Sequence, residues 1–229
     1  MDINIDLIQL TWVLALVTYP ILVTLSTKRL YHWMRKKDVQ KNVAVYFDRK
    51  VVHIFGGGIA TLFVPFVFTS PIYPLLIGIA LSIFTYLPYH RNKLLYWIQT
   101  EENKNDVKFC FMWGVIVFVL WVVIGSPWIA IIPPAMMAFG DGVTGISRNI
   151  FFKKRTKHPI GNVFMLIVCL PIGYFFAGFE GLPFWGLSAA MVATFIERYE
   201  FGPIDDNVLI TVSAALVLYI GHLYGSLFP

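Results

Sequence analysis

Long apolar stretches alternate with short polar ones along the whole chain. Eight apolar runs stand out, at about Leu7 to Leu25, Val51 to Phe68, Ile72 to Leu87, Phe109 to Ile124, Trp128 to Ile146, Ile160 to Ala177, Phe184 to Ile196 and Val208 to Leu227. A membrane-crossing helix needs about 20 mostly apolar residues. The pattern therefore predicts an all-α protein, a polytopic transmembrane bundle of about eight spans forming a single integral membrane domain over residues 1–229. Pro71 and Pro74, the pair Ser126-Pro127 and the stretch 178–183 mark tight turns. Pro133-Pro134 falls inside the fifth run and predicts a kink or break, because proline lacks an N–H and crowds the preceding turn. The opening MDINIDLIQL has neither a basic segment nor a small-residue cleavage site, so the first run is expected to be retained as a span.

Composition strengthens this picture. Of the 229 residues 58% are hydrophobic and only 14% charged, with a mean hydropathy of +0.70. Soluble domains carry roughly 25% charged residues, so no separate soluble domain is expected. The net charge of +5 reads as topology rather than as nucleic-acid binding, because Lys and Arg concentrate in cytoplasmic loops. Four polar loops, Lys28 to Lys50, Tyr89 to Lys108, Arg148 to Lys157 and Glu197 to Asn207, hold eight, four, five and one of them, all 18 in the chain. With eight spans these loops share one face. That face is expected to be cytoplasmic, with both termini outside. Cys110 and Cys169 lie in apolar runs without CxxC or CxxH context, so neither a disulfide nor a metal site is indicated.

The polar residues that remain inside or beside spans are the candidates for chemistry. Asp141 sits between Gly140 and Gly142 at the end of the fifth run, and an ionisable residue at membrane depth is a functional candidate. Arg148, Lys153, Lys154, Arg155 and Lys157 follow it, a cluster suited to phosphate oxygens. Glu197 and the triplet Asp205-Asp206-Asn207 supply hard oxygen ligands of the kind Mg²⁺ takes together with substrate phosphates. Helix capping is the alternative duty for Asp206 or Asn207. Arg49, Lys50 and His53 form a basic edge at the start of the second run, before Gly56-Gly57-Gly58, which is expected to serve close helix packing.

The ordered set of these blocks resembles the CTP-dependent polyprenol kinase family, which includes dolichol kinase and phytol kinase. RKVVHIFGG (Arg49 to Gly57) is similar to the family's Arg-Lys-x-x-His block, and FGDGVTG (Phe139 to Gly145) to its Gly-Asp core. KKRTKHPIGN (Lys153 to Asn162) stands where the family has a Lys-rich loop, with Ile160 and Asn162 in place of the usual Glu and Ser or Thr. Glu197 and IDDN (Ile204 to Asn207) are like its closing acidic block. The resemblance divides the chain into residues 1–48, a first span with a basic loop, and a kinase-like core over 49–229. It implies phosphoryl transfer from a nucleoside triphosphate, CTP, to the hydroxyl of an isoprenoid alcohol held in membrane lipid, with Mg²⁺ as cofactor.

The roles it implies are catalytic for Asp141, Glu197 and His53, and metal-binding for Asp141, Asp205 and Asp206. It implies nucleotide binding for Arg49, Lys50, Gly140, Gly142, Arg148, Lys153, Lys154, Arg155, Lys157, Asn162 and Asn207. The membrane is then the plasma membrane in a prokaryote or the endoplasmic reticulum in a eukaryote. Two other readings stand beside this one. A cytidylyltransferase making CDP-lipids shares the chemistry, but its Pro-Gly-His-Gly-Gly signature is absent. A small membrane transporter also carries intramembrane charge, though along a path rather than at one face.

Overall fold

The computed structural model describes residues 3–225 apart from 154, 155 and 203, with side chains described from Leu7 onward. Among the described residues every regular element is helical, and two isolated bridges are the only extended pairings. In chain order the helices are α1 (Ile3–Lys36), α2 (Lys41–Val67), α3 (Ile72–His90), α4 (Asn105–Ile124), α5 (Pro127–Phe152), α6 (Ile160–Gly178), α7 (Pro183–Ile196) and α8 (Asp206–Tyr224). Seven are long and apolar enough to cross a membrane; the protein is a multi-pass, all-α membrane protein. The other, α7, has 14 residues, and at 1.5 Å per residue it rises only about 21 Å. It nevertheless links the two ends of the bundle, antiparallel to α6.

Contacts between loops define those ends. At one end all four polar connections meet. Arg49 donates to Asn103, Lys50 binds Asp141, Arg148 binds Glu197, and Lys108 reaches Asp205. At the other end Gln9 accepts from the Thr69 amide, Ser126 donates to Glu180, and the Trp185 indole donates to the Gly225 carbonyl. Eight passes between two ends reproduce the alternation read from the charges.

Two boundaries differ from the expectation. The basic loop expected over Lys28 to Lys50 is almost entirely helical. α1 runs on to Lys36, α2 begins at Lys41, and only residues 37–40 connect them. Arg49 and Lys50 are therefore buried helical residues, 8% and 4% exposed, rather than loop cations. Similarly α8 begins at Asp206, two residues earlier than the apolar pattern shows, because Asp205 accepts from the Val208 amide and caps it.

The centre of the bundle is α5. Ile129, Ile131, Ile132, Met136 and Met137 are fully buried, with α2, α4, α6, α7 and α8 packed around them. Its first half breaks at Ile131 before Pro133-Pro134, as the prolines predict, and then passes through a π-helical turn at Met136–Asp141. A second π-turn, His53–Gly58, lies in α2. Each wide turn carries one candidate residue at its end, His53 in one and Asp141 in the other, and the two turns pack on each other. Such turns recur at functional sites because they rotate a side chain out of the regular helical register.

Lipid tails are as apolar as the helices, so helix association relies on close packing rather than on water exclusion. Glycine supplies it. A Cβ on Gly57 would sit 2.6 Å from the Phe109 ring, and one on Gly58 2.7 Å from the Phe139 ring. Gly78 and Gly114 bring α3 and α4 together, and Gly173 and Gly186 bring α6 and α7 together, backbone against backbone.

Candidate active site

Asp141 is buried at the polar end, 1% exposed. Its Oδ2 accepts from Lys50 Nζ at 2.5 Å and lies 3.5 Å from His53 Nδ1. Lys50 and His53 are three apart on α2, so both reach the same neighbour from one helix face. The glycines beside Asp141 make the approach possible. A Cβ at Gly142 would meet Ile54 at 2.5 Å, one at Gly145 would meet the Lys50 methylenes at 2.6 Å, and one at Gly140 would meet Cys169 Sγ at 2.5 Å. Gly140 and Gly142, expected at the nucleotide, let α2 and α6 close on α5. The His53 ring stacks on Phe109 at 3.9 Å and neither of its nitrogens has a hydrogen-bond partner.

A second buried pair lies beside the first. Arg148 forks onto Glu197 with Nη1 to Oε1 at 2.7 Å and Nη2 to Oε2 at 3.0 Å, a bidentate geometry that guanidinium favours. Its Nε donates to the His158 carbonyl and Nη2 also donates to Asn162 Oδ1. Asn162 in turn donates to the Thr194 carbonyl and to Glu197. Arg148 and Asn162, both expected at the nucleotide, are thus committed to holding α5, α6 and α7 together. Gly161 leaves room for the guanidinium.

Lys157 closes the group. Its Nζ lies 3.3 Å from Asp206 Oδ2 and 3.2 Å from Glu200 Oε1, and donates to the Glu197 carbonyl at 3.0 Å. Partial burial would lower its pKa, but the carboxylates of Asp206, Glu197 and Glu200 outweigh burial and raise it. Lys157 thus stays an ammonium across the physiological range.

Asp141, Glu197 and Asp206 each present an oxygen within 4.8 Å of the others. The three acids are matched by three bases, Lys50, Arg148 and Lys157. Glu197 is engaged by Arg148 on both oxygens, which leaves Asp141 and Asp206 as the freer donors for a hard cation. Asp205, expected as a metal ligand, caps α8 and lies 3.5 Å from Lys108. Asn207 lines the cavity with its Oδ1 buried and unpartnered, while its amide nitrogen reaches Asn105 and Asp205. Lys153 caps α5 in a left-handed conformation and is exposed beside another cavity, with Trp33 and Lys37. Lys154 and Arg155 lie outside the described residues.

Two cavities meet at this site. A polar chamber of about 280 Å³ is lined by Asn42, Tyr46, Arg49, Lys50, His53, Thr100, Asn103, Lys157, Asp206 and Asn207, among others. An apolar cleft of about 50 Å³ runs between α1, α2, α3 and α4, along Ile21, Ile77, Leu81, Phe84, Phe109 and Trp113. Arg49 and His53 line both.

Sequence reasoning missed Tyr89, Gln99 and Asp106, which brace this junction together with Arg49. Arg49 donates to the Ile98 carbonyl and to Asn103 Oδ1. Asp106, 6% exposed, accepts from Tyr89 at 2.9 Å and from Gln99 at 2.6 Å, and Gln99 also donates to the Thr85 carbonyl. These bonds fold residues 91–104 over the end of the bundle. The signal was an acid only three residues ahead of the apolar run at Phe109. Comparison with protein-family models, curated proteins and solved structures gives no match to the chain.

Proposed function

We propose that the protein is a membrane lipid kinase, transferring a phosphoryl group from a nucleoside triphosphate, with CTP the donor implied by the resemblance, to the hydroxyl of a long-chain isoprenoid alcohol such as dolichol. One observation carries the reading: a charged chamber and an apolar cleft share Arg49 and His53 as a common wall. A water-soluble donor and a lipid-held acceptor need such a junction. The four polar connections at this end and the helix segments that flank them hold all 18 Lys and Arg residues, which favours a cytoplasmic site.

Phosphoryl transfer is catalysed mainly by positioning and by electrostatic stabilisation. In this reading Lys50, Arg49 and Lys157 hold the phosphate oxygens. The acceptor hydroxyl comes along the cleft to His53, whose Nε2 takes the departing proton while Asp141, 3.5 Å from Nδ1, orients the ring. The hydroxyl oxygen forms the new P–O bond as the bond to the bridging oxygen breaks, and the electron pair leaves with the nucleoside diphosphate. Asp141 and Asp206 are hard oxygen donors that fit Mg²⁺ and would hold it. When bound, the ion screens the phosphate charge that the paired bases alone leave uncompensated.

The test is purified protein with Mg²⁺, each of four nucleoside triphosphates and a panel of lipid alcohols, reading phosphorylated lipid and nucleoside diphosphate. Asp141→Asn is expected to abolish transfer while the protein still inserts. The double variant Asp141→Asn, Lys50→Met, which leaves no unpaired buried cation, is expected to stay inactive. Near-normal activity in either refutes the assignment. Pyrophosphate in place of nucleoside diphosphate supports a cytidylyltransferase instead.

A further inference from the structure

The lining of the polar chamber is ordered along α2. Asn42, Tyr46 and Lys50 are spaced i, i+4, i+8, and Arg49 and His53 fall on the same helical face, one and two turns below the Tyr46 level. Exposure falls along the row: Asn42 is exposed, Tyr46 is half-buried, and Lys50 and His53 are 4% and 3% exposed. The face therefore runs from mouth to floor as amide, aromatic ring, cation, imidazole. From Asn42 to Lys50 it covers about 12 Å at 1.5 Å per residue, comparable to the reach of an extended nucleoside triphosphate from base to outermost phosphate.

Residues 91–104 contribute a second wall of the chamber, tied to α2 where Arg49 donates to the Ile98 carbonyl and Asn103 Oδ1. Thr100 and Asn103 line the same chamber, and the Thr100 hydroxyl is a buried oxygen without a partner. Of the seven buried side-chain atoms that lack partners among the described residues, the two His53 nitrogens, Thr100 Oγ1 and Asn207 Oδ1 all belong to chamber-lining residues. Unpartnered buried polar atoms are uncommon because each costs free energy. Their concentration in one cavity marks the place where a polar ligand completes the bonding. At the floor the groups are ionic and suit phosphate. Away from the floor, neutral amides and hydroxyls stand beside an aromatic ring and suit the edge and face of a heterocyclic base, with the exposed Glu102 carboxylate also on the lining.

We infer that Asn42, Tyr46 and Thr100 form a nucleobase subsite at the mouth of the chamber and set which nucleotide is used, with the triphosphate directed inward to Lys50, His53 and Asp141. The inference rests on the kinase reading for its ligand. None of the three residues belongs to the blocks on which the family resemblance was drawn. Asn42 and Thr100 select through hydrogen bonds to the base edge. Lys50 Nζ lies over one face of the Tyr46 ring, 5.2 Å from its centroid; Tyr46 contributes the other face, so Tyr46→Phe retains its role and Tyr46→Leu does not.

The experiment measures the dissociation constants of the four nucleoside triphosphates and of inorganic tripolyphosphate for the full-length protein in micelles. The wild type is compared with Thr100→Val, Asn42→Ala, Tyr46→Phe and Tyr46→Leu. Thr100→Val keeps the side-chain shape and removes only an unpartnered hydroxyl, so the fold is retained. Thr100→Val and Asn42→Ala are each expected to weaken the preferred nucleotide about tenfold, the worth of one lost hydrogen bond. They are also expected to compress the spread among the four nucleotides. Tripolyphosphate, which has no base, is expected to bind as before. Equal weakening of all five ligands, or an unchanged spread in both variants, overturns the subsite while leaving nucleotide binding intact. Tyr46→Phe failing to bind as the wild type does, or Tyr46→Leu doing so, removes Tyr46 from it. A wild-type protein that binds no nucleotide overturns the kinase reading itself, and the subsite with it.

Discussion

Arg148 shows how a residue that looks like a ligand-binding cation serves as a strut. It is 1% exposed and makes four hydrogen bonds within the protein, two of them to Glu197. Removing one member of a buried ion pair leaves the other charge uncompensated, at a cost of about 3–5 kcal/mol. Arg148→Ala is therefore expected to lower the thermal unfolding temperature in micelles substantially. The apolar replacement Arg148→Met with Glu197→Gln is expected to recover much of that loss. An Arg148→Ala protein of normal stability that no longer binds nucleotide would return Arg148 to the phosphate site that its sequence context implied. Lys50 contrasts with it, having Asp141 as its one charged hydrogen-bond partner and an ammonium that lines the chamber. Two cations that look alike in sequence differ in their remaining bonding capacity.

Among the elements, α6 and α7 set the position of Glu197. A Cβ at Gly173 would overlap the Gly186 backbone, and Gly186 is equally restricted by Gly173. Gly173→Val must push α7 away, and overpacking of this kind costs typically about 1–3 kcal/mol. Because α7 ends at Ile196, next to Glu197, the displacement is expected to reduce nucleotide binding as well as stability. Gly178→Ala serves as the control, since a Cβ there meets nothing closer than Pro183 at 4.0 Å. Equal thermal stability of Gly173→Val and Gly178→Ala would contradict the close crossing. The apolar runs and the Pro133-Pro134 break were legible in the sequence because each is a property of consecutive residues. The start of α2 was not. Val51 begins the apolar run, yet the helix begins at Lys41, so Asn42 and Tyr46 were read as loop residues and the ordered face they form with Lys50 and His53 went unseen. Asp205 likewise differs from Asp206 by its φ,ψ and its bond to the Val208 amide, which two adjacent aspartates do not reveal.

For the whole molecule, the lesson concerns pairing over long separations. Asp141, Glu197 and Asp206 could each be picked from the chain as polar residues at span ends. That Lys50 answers Asp141 across 91 residues, and Arg148 answers Glu197 across 49, is a property of the packed bundle alone. The bundle gathers the ionic groups at one end and leaves the other end with contacts such as Gln9 to Thr69 and Ser126 to Glu180. The asymmetry has a consequence for the proposed reaction. A nucleotide is too polar to cross the hydrocarbon, so it enters the chamber only from the end where the four polar connections meet. In sealed vesicles reconstituted with the protein in both orientations, nucleotide added outside is expected to support transfer only by molecules that present this end outward. Permeabilising the vesicles is then expected to raise the rate in proportion to the inward-facing fraction. That fraction is measured by labelling a single cysteine introduced at the exposed Lys37 with a membrane-impermeant reagent. Cys110 and Cys169 are replaced by serine beforehand. If intact vesicles with a large inward-facing fraction already show the full rate, the donor reaches the site from either side. The one-sided chamber would then be the wrong place for it.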